Sequence, residues 1–376
     1  MPHHGEWARS DDGAIWIVHP FRGTITAIPS PHGGEERQAI HAGHALSNGI
    51  SVTRNELLYL STADVERVGL PMKAIVKAVE DVFREKGEGR TEMPPKPGIH
   101  PVKDSFIHAM PAYVPSMKAA GMKWVSGFPS NKKRGLPYIS GLLVLNDPGT
   151  GLPLCVMDCT WVTAKRTGAA TAVAAKYLAR KDSRTMGILG CGVQGRTNVE
   201  ALKVVFPRLE TVRAFDVDPE VLKRYSRHVE ATYGMRVEKA STPRAAVVGS
   251  DIIVTAGPIL KHPRPVIEAS WFGEGAFACP LDFDSYWKSS AMRASDKFCT
   301  DDRGQLEYYK TVGYFGGVPK VHADLGEIVS GRRKARERPE ERIMSMNLGV
   351  AIEDMATSVR IFELAKRKGI GIWLPL

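Results

Sequence analysis

The chain has 376 residues, 43% of them hydrophobic, so it can bury a large core, and its length predicts two domains. It lacks an apolar run near the roughly 18–20 residues that cross a membrane, and its first residues lack the apolar core of a signal peptide. The net charge of +10 fits either nucleic-acid binding or a basic enzyme of acidic metabolites. The densest basic cluster, 332–342, mixes both signs without aromatic residues. We therefore expect a solvated loop there, and neither nucleic acid nor membrane as a partner.

The cysteines form neither an even disulfide framework nor the paired motifs of a zinc site. They predict buried thiols in a reducing cytoplasm, and they are Cys155, Cys159, Cys191, Cys279 and Cys299. Residues 1–50 hold six of the eleven histidines, but without ligand spacing, so we expect no metal. Two apolar runs in this segment, 14–18 and 24–28, predict either an appended hairpin or a partly disordered arm.

Regular patterns begin at Leu57. A strand is predicted at 57–60, followed by a helix that Pro71 opens and Gly87 ends. Apolar runs separated by turn residues then predict an antiparallel sheet, including a hairpin of 138–145 with 152–158. Lys123 lies inside one of these strands. A strand lysine is most often an edge or solvent residue, and a ligand-binding role is the alternative.

A helix rich in alanine is predicted from Thr163 to Ala179. Its small side chains, with Gly168 among them, allow close packing against other backbone. Arg166 falls in the first turn of this predicted helix, where the helix dipole disfavours a cation. Either this arginine points to solvent, or it serves an anionic ligand. A guanidinium beside free N–H groups would bind a carboxylate through two hydrogen bonds.

A short apolar run beginning at Thr185 ends in Gly-x-Gly-x-x-Gly, and a segment with helical apolar spacing follows. Strand, glycine turn and helix are the context that a dinucleotide-binding fingerprint requires, because the glycines permit the turn and the approach of the pyrophosphate. The residues expected to contact the cofactor in this turn are Gly190, Gly192, Val193, Gln194 and Gly195.

Asp216 ends the next predicted strand, 21 residues beyond Gly195. A carboxylate at this separation binds the adenosine ribose and repels a 2′-phosphate, which favours NAD over NADP. The alternative is that Asp216 is a helix N-cap or a turn residue before Pro219.

Strand and helix patterns continue to alternate, which predicts a doubly wound parallel sheet of the Rossmann type. Its strands are predicted at 185–190, 211–217, 236–240, 251–257, 275–279 and 296–301. The strand that contains Thr255 ends in small residues, and we expect it beside the cofactor. The last segment, 344–368, is predicted to be a helix that returns to the first sheet.

Several motifs occur in a fixed order along the chain. They are Lys123–Asn131, Leu136–Gly141, Thr150–Asp158, Thr163–Thr167, Gly190–Gly195 and Asn347–Asp354. Together they resemble the ornithine cyclodeaminase/mu-crystallin family over about residues 52–372. The resemblance implies NAD(P) chemistry at the Cα–N bond of an amino or imino acid, carried out by a homodimer.

The resemblance also implies an α/β subunit of two domains. A Rossmann-type NAD-binding domain would cover 176–324. An α+β domain for substrate binding and dimerisation would combine both chain ends, 51–175 and 325–376, and residues 1–50 would be an N-terminal extension.

On the family pattern, Arg166 stands at the carboxylate-binding arginine and Lys123 at the substrate-contacting lysine. Lys96 falls near a second basic residue that contacts the carboxylate. Thr167 and Thr255 are expected at the cofactor.

The chain departs from the family pattern at three places. His108 stands where ornithine cyclodeaminases carry an acid suited to a distal amine, and Tyr138 replaces the usual threonine of Leu-Pro-Thr. The catalytic aspartate is displaced, so that Asp282 is the candidate and Asp284 the next. A helix N-cap before Tyr286 is the alternative for both. These departures count against ornithine as the substrate.

The sequence therefore predicts an NAD(H)-dependent oxidoreductase that interconverts the amine and imine of an α-amino acid. Lys123 or Asp282 would be the general acid or base. Two alternatives stay open. One is a cyclodeaminase that converts L-ornithine to L-proline and ammonia with bound NAD, and the other is a protein that binds NAD(P)H and a small ligand without turnover.

Overall fold

The computed structural model describes residues 56–376 and, before them, the backbone of three strands. The chain divides into two compact units, Met1–Val52 and Thr53–Leu376. The first unit contains an antiparallel sheet of β1 (Trp7–Arg9), β2 (Ile15–Val18) and β3 (Ile25–Ile28). The pairing of β2 with β3 confirms the predicted hairpin, whereas β1 was not predicted.

The second unit is built from two sheets and the helices that cover them. Its strands are β4 (Glu56–Leu60), β5 (Gly98–Ile99), β6 (Phe106–Val114), β7 (Ala119–Gly127), β8 (Ile139–Asn146), β9 (Pro153–Asp158), β10 (Thr185–Leu189), β11 (Thr211–Phe215), β12 (Arg236–Lys239), β13 (Ile252–Thr255), β14 (Phe277–Pro280), β15 (Lys297–Thr300), β16 (Ala323–Asp324), β17 (Ile343–Met346) and β18 (Ile372–Pro375). Its helices are α1 (Thr62–Val68), α2 (Met72–Gly87), α3 (Thr160–Leu178), α4 (Val193–Val205), α5 (Pro219–Tyr233), α6 (Pro243–Val247), α7 (Ser289–Arg293), α8 (Arg303–Thr311), α9 (Leu325–Val329) and α10 (Ala351–Lys368).

The first sheet of this unit joins both chain ends. Its strand order is β18–β4–β9–β8–β7–β6–β5. The predicted hairpin of β8 with β9 is present. The sheet is mixed rather than antiparallel as predicted, because β4 runs parallel to β9. Two neighbouring strands can run in parallel when a long connection separates them in the chain. The connection from β4 to β9 is long and contains α1 and α2.

The second sheet is parallel throughout, in the order β12–β11–β10–β13–β14–β17–β15–β16. All six predicted strands are present, which confirms the α/β fold. Two strands were missed, β16 and β17. The prediction of a helix from residue 344 is wrong, since β17 occupies 343–346 and α10 begins only at Ala351. A four-residue run that is wholly buried lacks a periodicity to separate strand from helix.

Helix α3 begins three residues earlier than predicted. The side chain of Asp158 accepts a hydrogen bond from Thr160 N at 2.9 Å, so the first turn starts at Thr160. Arg166 consequently lies in the second turn, and the argument from the helix dipole is wrong. The predicted close packing is confirmed, because a Cβ on Gly168 would lie 2.5 Å from the carbonyl oxygen of Thr197 in α4.

Helices α2, α3 and α10 pack against one another. Helix α10 also packs on β6 and β7, as predicted for the C-terminal segment. The five cysteines are free and buried, as predicted. Among the described residues, no helix has the length and apolar character to cross a membrane.

Candidate active site

The glycine turn between β10 and α4 is shaped by backbone contacts. Gly190 has φ +98°, and a Cβ there would lie 2.5 Å from the carbonyl oxygen of Ala256. A Cβ on Gly195 would lie 2.6 Å from the carbonyl oxygen of Gly190. Gly192 instead faces open space and is the N-cap of α4, with no side chain capping it. The N-terminus of α4 therefore offers backbone N–H groups to an anion, which fits a dinucleotide pyrophosphate.

Asp216 follows β11 and supports this turn. Its Oδ2 accepts a hydrogen bond from Cys191 N at 2.7 Å, and its Oδ1 accepts one from Asp218 N at 2.9 Å. The N-cap of α5 is Asp218, whose Oδ1 accepts a hydrogen bond from Glu220 N. Asp216 is therefore a turn residue beside the glycine turn and not the N-cap. Together with the exposed Gly192 and Val193, it borders what we call the cofactor cleft, Gly190–Gly195 with Asp216.

Asp282 lies two residues after β14 and is fully buried. Thr255 Oγ1 donates to its Oδ1 at 2.6 Å, and Gly257 N donates to its Oδ2 at 2.8 Å. Burial raises the pKa of Asp282 to about 7, so the carboxyl group exchanges its proton near neutral pH. The hydroxyl of Thr255, predicted to contact the cofactor, is directed at Asp282.

Asp284 points elsewhere. Its Oδ2 accepts a hydrogen bond from Gly316 N at 3.3 Å, and burial raises its pKa. Phe283 between the two acids has φ +61°, which turns the backbone. The expected alternative, a helix N-cap, is wrong for both aspartates, because the next helix has Lys288 as its N-cap.

Arg166 is buried and paired with acids from the far end of the chain. Its Nη1 lies 2.6 Å from Glu353 Oε2, and its Nε lies 3.0 Å from Asp354 Oδ1. Lys123, which is fully buried, places Nζ 2.7 Å from Asp354 Oδ2. The solvent-facing alternatives are therefore wrong for both residues.

The two contacts to Asp354 have ion-pair distances without hydrogen-bond geometry. Among the residues from 56 onward, Lys123 Nζ and Arg166 Nε find no hydrogen-bond acceptor. Buried donors are normally satisfied. A ligand carboxylate would complete the hydrogen bonding of both groups, which are otherwise only ion-paired with Asp354.

Lys96 is held against the loop before α10. Its Nζ donates to the carbonyl oxygens of Leu348 and Gly349, both at 2.7 Å. Burial lowers its pKa to about 7; Arg166 lowers it further, and Asp301 opposes the shift. We call Lys96, Lys123 and Arg166 the carboxylate clamp.

The clamp and Asp282 are joined through neighbouring backbone. Gly349 N donates to Asp301 Oδ2 at 2.6 Å, and a Cβ on Gly349 would lie 2.7 Å from Arg166 Nη1. Asn347 N donates to the carbonyl oxygen of Pro280 at 3.1 Å, two residues before Asp282. The loop 347–350 therefore connects the clamp to the carboxyl end of β14.

The acids around the clamp tend to hold protons. Burial raises the pKa of Glu353 to about 8 and raises that of Asp301. Burial also disfavours the charge on Arg166, but Asp354 and Glu353 outweigh it and raise its pKa. The cluster combines a fixed guanidinium with Glu353, whose raised pKa favours its protonated form near neutral pH. It is suited to an anionic ligand group.

Comparison with known proteins identifies the family. The model of the ornithine cyclodeaminase/mu-crystallin family matches residues 56–369. The chain belongs to this family. It is 36% identical over 315 residues to the nodulation efficiency protein NfeD of Rhizobium meliloti, with 83% of this chain and 97% of that protein covered. It is 35% identical over 325 residues to the alanine dehydrogenase of Archaeoglobus fulgidus, with 84% and 97% covered.

Solved structures agree with this assignment. One is the Delta(1)-pyrroline-2-carboxylate reductase of Thermococcus litoralis with NADH and L-proline, at TM-score 0.76 and 33% identity, covering 84% of this chain and 99% of that one. Another is an archaeal alanine dehydrogenase dimer with bound NAD, at TM-score 0.75 and 33% identity, covering 85% and 99%. These neighbours confirm the predicted fold, and their NAD and NADH support the cofactor predicted for this chain.

His108, one of the departures from the family pattern, lies beside the clamp. Its ring stacks on Phe106 at 4.3 Å. Burial, together with Lys96, lowers the pKa of His108 to about 2, so the ring is neutral. It cannot supply the negative charge that a cationic substrate side chain would need.

Several residues of the site were not predicted. Glu353 and Asp354 lie in a motif that the sequence identified, but their pairing with Arg166 was not foreseen. Asp301 directly follows β15, so a search for acids at strand ends would have found it. Thr167 lies on α3, where its Oγ1 donates to the carbonyl oxygen of Thr163 at 2.7 Å. It is one residue from the contact of Gly168 with α4.

Proposed function

We propose that the protein is an NAD(H)-dependent oxidoreductase that interconverts the amine and the imine of a small α-amino acid. It would be a ketimine reductase or an amino-acid dehydrogenase. The observation that carries the proposal is the clamp of three buried basic side chains, linked through the loop 347–350 to an acid that titrates near pH 7. The alanine dehydrogenase and the pyrroline-2-carboxylate reductase among the relatives support the same reaction class.

In this proposal Arg166 and Lys123, with Lys96, hold the substrate carboxylate. Lys123 Nζ and Arg166 Nε support that role, because both are ion-paired with Asp354 without a hydrogen bond, and a carboxylate would supply one. Fixing the carboxylate also fixes Cα. Orientation of this kind can supply several kcal/mol of barrier reduction, about 7 or more in favourable cases.

When bound, NADH supplies the hydride that reduces the imine carbon. Asp282 then provides the proton that the nitrogen gains, and in the reverse direction it removes that proton. Its pKa near 7 supports both roles. Lys123 is the second candidate, since burial and the neighbouring Arg166 lower its pKa.

The cofactor cleft would hold the dinucleotide through the backbone N–H groups at Val193, Gln194 and Gly195. Asp216 would bind the adenosine ribose, with a preference for NAD over NADP. Thr167, beside the packing contact of α3 with α4, would line the cleft. Thr255 would act through its hydrogen bond to Asp282.

A homodimer is also part of the proposal. One face of the first sheet, on the side of β7 opposite the buried Lys123, carries exposed apolar side chains on paired strands: Tyr59, Trp124, Leu142 and Ile372. The archaeal alanine dehydrogenase in the comparison is a dimer. Light scattering of wild type and Trp124→Glu tests this point, and we expect a dimer that the variant weakens.

The reaction is tested by loss of NADH absorbance with pyrroline-2-carboxylate, and separately with pyruvate plus ammonia, with NADPH in parallel. Consumption of NADH supports the proposal. Release of ammonia and proline from L-ornithine with catalytic NAD would instead assign a cyclodeaminase. Binding of NADH without turnover of any of these compounds would favour a binding protein.

A further inference from the structure

Tyr286 lies between the glycine turn and Asp282, the two halves of the proposed site. Its backbone is fixed, because its carbonyl oxygen accepts hydrogen bonds from Val266 N at 2.9 Å and Ile267 N at 2.8 Å. Its neighbour Trp287 is buried and donates from Nε1 to Thr255 Oγ1 at 3.2 Å. Because Trp287 anchors the segment in the core, Tyr286 is directed toward the carboxyl edge of the parallel sheet.

The ring of Tyr286 packs directly on the backbone that follows β13. A Cβ on Gly257 would lie 2.6 Å from Tyr286 Cε2, 3.3 Å from its hydroxyl oxygen and 3.2 Å from Asp282 Oδ2. Gly257 is itself in contact with the glycine turn, since a Cβ on Gly190 would lie 3.2 Å from Gly257 N. The phenol ring thus lies beside the glycine turn on one side and Asp282 on the other.

The groups that shift the pKa of Tyr286 also place its hydroxyl between Asp282 and the glycine turn. Burial raises the pKa of Tyr286 to about 12, and Asp282, Asp216 and Cys191 add to the rise. A phenol in this state is neutral and donates a hydrogen bond. In the part of the chain from 56 to 376, its hydroxyl has no hydrogen-bond partner, and the residue is only partly buried. The donor is therefore available to a ligand group between Asp282 and the cofactor cleft.

We propose that Tyr286 is a cofactor-positioning residue, whose hydroxyl donates to an oxygen of the phosphate or the ribose on the nicotinamide side of the dinucleotide. This inference rests on the proposed function, because it needs a dinucleotide that extends from Asp216 to Asp282. The acceptors on the nicotinamide side are the oxygens of one phosphate and one ribose.

The test measures binding rather than turnover. NADH, ADP-ribose and AMP are titrated against wild type, Tyr286→Phe and the control Tyr113→Phe, with NADH fluorescence or calorimetry as the readout. Tyr286→Phe keeps the ring on Gly257 and removes only the hydroxyl. We expect the Kd of NADH and of ADP-ribose to rise about tenfold, the size of one lost hydrogen bond. AMP lacks the nicotinamide-side phosphate and ribose, so its Kd should stay unchanged, as should all three values for Tyr113→Phe.

Three results would overturn the inference. If Tyr286→Phe binds NADH and ADP-ribose within about twofold of wild type, the hydroxyl does not contact the cofactor. If AMP is weakened equally, the contact lies at the adenosine end. If the Kd values hold but the pH dependence of kcat shifts, Tyr286 acts on Asp282 instead. Failure of wild type to bind NADH would overturn the proposed function itself, which separates the two failures.

Discussion

The cofactor cleft and the carboxylate clamp are both suited to an anion, but they are built from different groups. In the cleft, backbone N–H groups at an uncapped helix end face open space around Gly192. In the clamp, buried side chains carry the charge, and Arg166 depends on an acid 187 residues away in the sequence. The cleft needs only a local turn, whereas the clamp needs the folded unit around it.

This difference predicts how each region responds to substitution. A change in the clamp leaves a buried partner charge uncompensated, which costs about 3–5 kcal/mol for a buried pair. A change at the open glycine of the cleft removes no internal contact. Substitutions in the clamp should therefore affect substrate binding and stability together, and those in the cleft should affect cofactor binding alone.

The largest effect is expected for Arg166→Ala. It removes the guanidinium that would hold the carboxylate and leaves Glu353 and Asp354 without their partner. We expect kcat/KM for the amino or imino acid to fall about a thousandfold, about 4 kcal/mol. The Kd of NADH should stay within about twofold. Steady-state kinetics and NADH titration measure the two quantities on the same preparation.

The melting temperature of Arg166→Ala should also fall, whereas the exposed control Arg67→Ala should leave both kinetics and melting unchanged. Arg67 pairs with Asp64 at the surface, where an ion pair contributes little. An Arg166→Ala enzyme with unaltered KM and kcat would show that the carboxylate binds elsewhere.

The second-largest effect is expected for Asp282→Asn, and its comparison with Asp284→Asn shows which of the two acids is catalytic. Asp282→Asn should lower kcat about a hundredfold, because a general acid or base contributes on that scale. Asp284→Asn, the matched control on the other side of Phe283, should change kcat by less than about fivefold. Equal losses in the two variants would contradict the assignment of Asp282.

The pH dependence of the rate in each direction tests the same role of Asp282. With a pKa near 7, Asp282 is protonated below that pH, so imine reduction should slow as the pH rises through 7. Amine oxidation needs the carboxylate and should rise over the same range. Lys96 also titrates near 7, and loss of its proton weakens carboxylate binding in both directions. Asp282→Asn should therefore remove the rising limb of oxidation and keep the falling one.

The comparison also explains what the sequence could predict. The cleft was found from one stretch, because strand, glycine turn and helix follow each other and Asp216 ends the next strand. Local geometry determines such a site, so spacing reveals it. The parallel strands were predictable for the same reason, with two exceptions. Strand β16 has only two residues, and β17 lies between β14 and β15 although it comes from much later in the chain.

The clamp could only be predicted in part. The resemblance to the family pointed to Arg166 and Lys123, but spacing gave no reason for either to be buried. Their burial follows from Glu353 and Asp354 on α10, a pairing between distant segments that periodicity cannot show. The helix start at Thr160 was missed for a smaller reason. The N-cap is Cys159, which is not a typical capping residue, and the bond to Thr160 N comes from Asp158 at the end of the preceding strand.

A third prediction concerns the open glycine of the cleft. In Gly192→Ala the new methyl group meets no protein atom within 4 Å, but it projects where the pyrophosphate would approach. We expect the Kd of NADH to rise tenfold or more with an unchanged melting temperature. Gly273→Ala, at another glycine whose surroundings are open, should change neither value. Unaltered NADH binding in Gly192→Ala would mean that the pyrophosphate does not lie at the start of α4.

The smallest effect is expected for Asp216→Asn, and it tests whether the cleft also selects its ligand through charge. Asparagine keeps an oxygen that can accept the hydrogen bond from Cys191 N, so the glycine turn should persist. The substitution removes the negative charge and the second acceptor oxygen, which accepts the hydrogen bond from Asp218 N. Repulsion of a 2′-phosphate by that charge near the surface amounts to about 1 kcal/mol. The ratio of kcat/KM for NADH to that for NADPH should therefore fall about fivefold, mostly through better use of NADPH. Asp218→Asn removes a neighbouring charge while keeping a residue suited to cap α5, and it should leave the ratio nearly unchanged. If the two variants shift the ratio equally, the preference for NADH comes from the combined negative charge of Asp216 and Asp218. Asp216 would then have no specific contact with the ribose.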